Sequence, residues 1–289
     1  MNDSKLIAKP FVKWAGGKYR LAEKLIPFIS KKYNPFENTY FEPMAGSGGF
    51  FFKYAPKHAY LSDINQNLIT TYKTIRNDVD ALIIKLKNHK ELHVDEEYFY
   101  GQRKLFNQLI KKGGSDLEIA SLFIYLNKTC FNGLYRENSK GEFNVPVGKN
   151  SRGQLLPMAF DKDNILILSQ LLKSVDIACH SYQKTIDKVK SGDFIYIDPP
   201  YIPLDHLSFT QYSKGDFGMK EHKELSIFCD SIHSKGAYFM LSNSDTDDTR
   251  DIYLKEGRFS KEFRVSRSIA SKAKNRVKAK ELIITNYEI

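Results

Sequence analysis

The residues best placed to do chemistry are Asp198-Pro199-Pro200-Tyr201, directly after the apolar run Phe194-Ile195-Tyr196-Ile197. That run has the continuous apolar character of a buried parallel strand. Two prolines end it and fix the direction of its exit. The Asp198 carboxylate and the Pro199 carbonyl then stand as two rigid acceptors beside an aromatic ring. They sit beyond the carboxyl end of a strand, where open α/β sheets bind their ligands. Such a set suits a planar group bearing an NH2. A rigid strand exit with a core tyrosine would use the same residues, so the motif alone leaves both readings open.

A second constellation lies near the start. An apolar run from Thr39 to Glu42 meets Pro43 and the cluster Gly46-Ser47-Gly48-Gly49. Glycines after a strand let the backbone approach a ligand closely, and the helix opening that follows offers unpaired N–H groups. A further strand, Ala59-Tyr60-Leu61-Ser62, ends in Asp63, whose carboxylate could accept both hydroxyls of a ribose. A glycine turn without ligand, and an aspartate that caps a helix, would look alike. The third glycine of the dinucleotide fingerprint is missing, which argues against a nicotinamide oxidoreductase.

The elements that must position these residues follow from periodicity. A helical pattern runs from about Tyr19 to Lys32. Between Asn65 and about Asn127 apolar residues recur at helical spacing without an intervening strand: Leu68, Ile69, Tyr72 and Ile75, then Leu82, Ile83 and Leu86. Two further helices cover roughly Glu96 to Ile110 and Asp116 to Lys128. Phe131 to Gly148, with its Asn-Gly and Lys-Gly steps, reads as an ordered loop or hairpin. The α/β rhythm then returns, with strands at Asp176–His180, Asp193–Ile197, Ala237–Ser242, Phe259–Val265 and Glu281–Thr285, and a helix from Met219 to Lys235. The expected fold is α/β: a Rossmann-like sheet of about seven strands, the last hairpin antiparallel, interrupted by a helical insertion.

Composition narrows the classes. The 289 residues carry 44 Lys and Arg against 34 Asp and Glu, a net charge of +10. That surplus suits a polyanion such as nucleic acid or an anionic membrane face, although a solvated lysine-rich surface gives the same balance. No apolar run reaches the roughly 18 residues of a membrane span, and no secretory signal pattern is visible at Met1. Cys130, Cys179 and Cys229 are widely spaced and odd in number, which fits inert thiols in a reducing cytoplasm rather than a disulfide framework or a metal site. None follows a proline, as an attacking cysteine for cytosine-C5 chemistry would need.

Taken in order, the chain resembles the Dam-type DNA adenine-N6 methyltransferases. The resemblance rests on Lys9 to Lys18, Phe41 to Gly48, Ser62-Asp63, and Arg103 with Phe106 and Asn107. It continues through Phe131 to Arg136, Phe143-Asn144-Val145-Pro146, Asp198 to Tyr201, and Leu241-Ser242-Asn243-Ser244. It implies S-adenosylmethionine as cofactor and a methyltransferase sheet. Trp14, Lys18, Gly46, Gly48, Asp63 and Asp198 would line the cofactor site, with Asp63 on the ribose and the Gly46 turn under the methionine end. It implies an adenine target in double-stranded DNA, usually in GATC, which must be flipped out of the stack. Asp198 and Pro199 would then take hydrogen bonds from N6 while Tyr201 stacks on the base. Phe131, Asn132, Leu134, Arg136 and Pro146 would approach bases, with Arg136 the candidate for a bidentate contact to guanine. Lys149 and the basic linker Arg267 to Lys280 would meet phosphates.

Residues 1–66 and 156–289 are accordingly expected to form the catalytic domain, and 67–155 the helical target-recognition domain with its reading loop. The resemblance further implies a monomer in the cytoplasm that needs no metal and no membrane. It is compatible with a separate cognate restriction endonuclease in a restriction-modification pair, and with a solitary role tied to DNA replication. Met44 stands where the family often has Phe, Phe131 where a Tyr is common, and Lys149 where an Arg is frequent. Related cytosine-N4 enzymes usually carry Ser at the Asp198 position, and those acting on RNA or protein usually carry Asn. A catalytically dead DNA-binding protein would have no need to keep Asp198, Tyr201 and Asp63 together.

Overall fold

The computed structural model describes residues 7–203, 217–265 and 279–289. The first helix, α1, spans Tyr19–Leu25 and gives way to a 3-10 turn at Ile26–Phe28. The helix expected as far as Lys32 therefore stops early. Pro27 has no N–H to continue the α ladder, and its ring crowds the preceding turn. Strand β1 (Tyr40–Glu42) leads to the short helix α2 (Gly49–Tyr54), and β2 (Ala59–Asp63) to α3 (Gln66–Asn77). Helices α4 (Val79–Leu92), α5 (Glu96–Lys112) and α6 (Asp116–Thr129) follow. Side-chain caps set the starts of α3 and α5: Asn65 Oδ1 accepts the Leu68 N–H at 2.9 Å and Asp95 Oδ1 the Tyr98 N–H at 2.8 Å.

The segment after α6, expected as an ordered loop or hairpin, is an ordered loop tied by single antiparallel bridges, Cys130 to Val147, Glu137 to Phe143 and Lys149 to Leu155. Then come α7 (Lys162–Leu172), β3 (Val175–Cys179), β4 (Phe194–Ile197), α8 (Met219–Ser234), β5 (Tyr238–Ser244), α9 (Asp247–Tyr253), β6 (Phe259–Val265) and β7 (Ala279–Thr285). Helix α9 escapes the sequence pattern because seven residues are too few to display a period; its signal is the cap, Thr246 Oγ1 accepting the Thr249 N–H at 3.1 Å.

The strands form one seven-stranded sheet in the order β3-β2-β1-β4-β5-β7-β6. β1 pairs in parallel with β2 and β4, and β4 with β5, whereas β5–β7 and β7–β6 are antiparallel. The antiparallel last hairpin is thus as expected. The strand order reverses at β1 and β4, paired with Tyr40 opposite Phe194 and Phe41 opposite Ile195. Both principal motifs leave the sheet from the carboxyl ends of this pair, the usual place for ligands in such sheets.

Two compact units divide the chain. One comprises residues 1–22, 45–55 and 63–179, the other 23–44, 56–62 and 180–289. The core of the first is built on α6, whose Ile119, Leu122, Phe123, Ile124, Tyr125 and Leu126 are all buried. It is apolar on every side because α3, α4 and α5 all pack on it. The core of the second joins Ile195, Ile197, Phe239, Leu241, Leu282 and Ile284 of the sheet to Leu225, Phe228 and Ile232 of α8. Their limits differ from the division expected at residues 66 and 156.

Candidate active site

In the first unit, the glycine turn is shaped as much by its own neighbours as by any ligand. Gly46 adopts φ +48°, and a Cβ there would come within 2.8 Å of the Trp14 ring. Its N–H donates to Asp63 Oδ2 at 2.9 Å, and its carbonyl accepts the Tyr72 hydroxyl at 3.0 Å. Gly48 caps α2 in the left-handed region at φ +65°. Asp63 Oδ1 in turn accepts the Asn65 N–H at 2.9 Å. Burial pushes the Asp63 carboxyl up, against the backbone N–H groups that pull it down. Backbone N–H groups of Gly46 and Asn65 bind one oxygen each and that of Ile64 also bonds the carboxylate, so only part of its acceptor capacity remains for a ligand hydroxyl. Lys18 is buried and donates from Nζ to the Gly16 carbonyl at 2.6 Å. Trp14 is half-buried and stacks on Tyr135, with ring centroids 5.6 Å apart.

The loop expected to read bases belongs to the same unit. Phe131, Asn132, Leu134, Arg136, Pro146 and Lys149 are all exposed, whereas Gly133 is buried and Tyr135 half-buried. Phe131 is 50% exposed, a large apolar ring left in water. Asn132 takes φ +55°, a turn conformation that asparagine tolerates and bulkier residues resist. Arg136 does not pair with Glu137: its Nε donates to Asn144 Oδ1 at 2.8 Å, and its carbonyl accepts the Asn144 N–H at 3.1 Å. Lys149 pairs with Glu96 at 2.5 Å, and both side chains are close to half exposed. Such an exposed pair contributes little to stability.

Helix α5 holds the far side of this loop. Arg103 Nη1 donates to the Val145 carbonyl at 3.2 Å. Asn107, one turn later, donates from Nδ2 to the Phe143 carbonyl at 3.0 Å and accepts the Phe143 N–H at 2.9 Å. The spacing of Arg103 and Asn107 thus puts both on one face, as splints for the loop.

In the second unit, Pro199 is buried and Asp198 and Tyr201 are half-buried at the exit of β4. The Tyr201 hydroxyl donates to Glu281 Oε2 at 3.1 Å. Burial, with Asp198 and Glu281 nearby, holds that hydroxyl well above the ordinary phenol range, so the ring stays neutral. Ile202 is gripped at both backbone atoms. Its N–H donates to Asn243 Oδ1 at 3.1 Å, and its carbonyl accepts the Ser244 hydroxyl. The set therefore offers fixed acceptors beside a neutral ring, suited to an amino group on a flat heterocycle.

Sequence reading places Asn243, Ser244 and Tyr135 in motifs but assigns them no task, and it misses Glu281 and Asn127. The available signal is three consecutive polar residues, Ser242 to Ser244, in a buried strand. Buried polar groups must find partners, and here the partner is the chain leaving the neighbouring strand. The basic linker lies, from Arg267 to Lys278, outside the described residues. The thiols are not uniformly buried: Cys130 and Cys229 are, and burial pushes them to about 11 and about 12, but Cys179 is partly exposed. No helix among the described residues is long and apolar enough to cross a membrane.

Residues 14–266 match the family model described as D12 class N6 adenine-specific DNA methyltransferase. Among curated relatives, the Type II methyltransferase M.MjaIII of Methanocaldococcus jannaschii is 39% identical, over 96% of this chain and 99% of its own. The Type II methyltransferase M1.LlaDCHI of Lactococcus lactis subsp. cremoris is 34% identical, over 99% and 98% respectively. The DNA adenine methylase of Haemophilus influenzae is 35% identical, over 96% and 94%.

Proposed function

From the premise that the chain belongs to the D12 class N6 adenine-specific DNA methyltransferases, we propose that it transfers a methyl group from S-adenosylmethionine to adenine N6 within GATC in double-stranded DNA, on a base turned out of the helix. The observation that carries this reading is the exit of β4, where Asp198 and Pro199 present acceptors beside the neutral Tyr201 ring.

S-adenosylmethionine, when bound, supplies a methyl group already activated by the sulfonium. The residues present fit it: a half-buried aspartate that keeps part of its acceptor capacity, beside a turn that only glycine can make so close to Trp14. Asp63 would hold the ribose, and Trp14, Lys18, Gly46 and Gly48 would bound the site. The adenine N6 lone pair is delocalised into the ring and is a poor nucleophile. Acceptance of its N–H protons by Asp198 and the Pro199 carbonyl localises that pair and stabilises the positive charge that develops at N6. The N6–methyl bond forms as the sulfonium–methyl bond breaks and leaves S-adenosylhomocysteine, and the surplus N6 proton passes along its hydrogen bond to Asp198 and on to solvent. The protein's contribution is positioning and electrostatics, with no covalent enzyme intermediate. The exposed reading residues support direct recognition of bases, with Arg136 on guanine and Lys149 on phosphate.

In this reading residues 67–155 form the target-recognition domain, inserted between the catalytic segments 1–66 and 156–289. The protein works as a monomer in the cytoplasm. The Type II names of two relatives favour a restriction-modification setting with a separate endonuclease.

The test incubates duplex DNA with the protein and S-adenosylmethionine, then digests it with methyl-blocked and methyl-requiring nucleases specific for GATC, while sequencing locates every N6-methyladenine. Protection at GATC supports the proposal. Methylation confined to another sequence overturns the target assignment, and no adenine methylation by intact protein overturns the whole reading.

A further inference from the structure

Tyr135 stands in the middle of the reading loop and does not share its exposure. Leu134 and Arg136 on either side point to solvent, whereas Tyr135 turns inward. Its ring lies 5.6 Å from the Trp14 ring, nearly parallel at 22°, and 5.1 Å from the Phe123 ring. Its hydroxyl accepts from Asn67 Nδ2 at 3.2 Å and donates to Glu137. Asn67 belongs to the first turn of α3, whose cap Asn65 also binds the Asp63 carboxylate. One side chain of the loop thus touches two walls of the cofactor site: Trp14, seated on Gly46, and the helix that starts beside Asp63.

A second tether runs parallel to it. The buried Asn127 accepts the Lys13 N–H at 2.8 Å and donates to the carbonyls of Lys13 and Gly133, both at 2.9 Å. The segment that carries Trp14 and the loop that carries the reading residues are therefore joined by a buried amide as well as by a ring stack. At the centre of these junctions lie the buried Asn127 and Gly133 and the half-buried Tyr135, Asn67 and Trp14, with hydrogen bonds on both side-chain amides.

We propose that Tyr135 is a positioning residue that couples occupancy of the cofactor site to discrimination by Leu134 and Arg136, through its stack on Trp14 and its hydroxyl bond to Asn67. The inference rests on the proposed function. A bound cofactor restricts Trp14 and the start of α3, and Tyr135 passes that restriction to the two residues adjacent in the chain. Such coupling is reciprocal, so correct DNA tightens cofactor binding by the factor by which cofactor tightens correct DNA.

The experiment measures binding, with turnover as a separate control. Affinity for a duplex holding the methylated sequence, and for one with a single base pair changed, is determined with and without S-adenosylhomocysteine, the demethylated product. Affinity for S-adenosylhomocysteine is determined with and without each duplex. In the wild type, S-adenosylhomocysteine is expected to raise discrimination by about fivefold or more, in the range usual for coupled sites. Tyr135→Leu removes stack and hydroxyl, and Tyr135→Phe removes the hydroxyl alone. Both are expected to lose most of that gain while keeping the affinity for altered duplex measured without S-adenosylhomocysteine. A folded variant, judged by circular dichroism, with wild-type coupling overturns the proposal. Tyr135→Phe keeps the test decisive if Tyr135→Leu does not fold. Methyl transfer by the wild type is assayed alongside. Its absence counts against the proposed function, whereas normal transfer with unchanged coupling in a variant counts against Tyr135 alone.

Discussion

Tyr201 and Ile202, which follow Asp198 at the exit of β4, are held by residues of β5 and β7. Glu281 anchors the Tyr201 hydroxyl, and Asn243 with Ser244 grips Ile202, so the segment leaving β4 has little freedom. Asp198→Ala should therefore cut the transfer rate by at least 10²–10³-fold, about what loss of one preorganised electrostatic partner costs. The fold should survive, because Asp198 lies at a strand exit and not in the core; single-turnover transfer of labelled methyl, with thermal melts as control, checks both. Arg136→Ala should relax preference at one guanine by about 1–3 kcal/mol, measured by competition between duplexes that differ at that base pair. Lys149→Ala should instead weaken all DNA alike and lower the salt slope by about one. The types of these residues were legible in the sequence, but their partners were not. Glu137 is the obvious neighbour for Arg136, yet it accepts from Tyr135, and Arg136 bonds Asn144 across the loop.

The glycine turn and the reading loop are elements whose shape comes from packing. Gly46→Ala would set a Cβ 2.8 Å from Trp14 at φ +48°. It should cost about 1–3 kcal/mol of stability and weaken binding of S-adenosylhomocysteine; denaturant titration reads the first. Trp14, the single tryptophan, offers its own fluorescence as a reading of the second. The elements themselves were mostly evident from the sequence, since α3 to α6 and the parallel strands carry clear periodicity. What was hidden is local or distant. Pro27 shortens α1, α9 is too short to show a period, and Arg103 and Asn107 of α5 serve backbone groups at Val145 and Phe143. Bonds to backbone carry no side-chain signature at the accepting end, so no spacing rule could pair them.

At the scale of the whole molecule, stability should respond to acid through two buried histidines. Burial lowers His89, beside Tyr98 and Tyr125, and His222, beside Tyr253, from 6.5 to about 4. Between those values the unfolded chain takes up protons that the native protein refuses, so stability falls as pH drops from 6.5 toward 4. At the full shift the loss is on the order of 3 kcal/mol for each histidine. Urea titrations at pH 7 and pH 4.5 should show the decline, and a His222→Gln variant should lose less of its own stability over that interval. The net charge of +10 favours association with DNA at low salt whatever its sequence. The sequence by itself determined the fold class and the places of the Asp198 and Gly46 motifs at strand exits, because strand exits, glycine turns and helical periods are written in neighbouring residues. Only the tertiary structure decided that Glu281, Asn243 and Ser244 hold the β4 exit, that Asn127 and Tyr135 tie the reading loop to Trp14, and which loop residues face water. Those contacts join residues far apart along the chain, and they exist only once packing has brought their elements together.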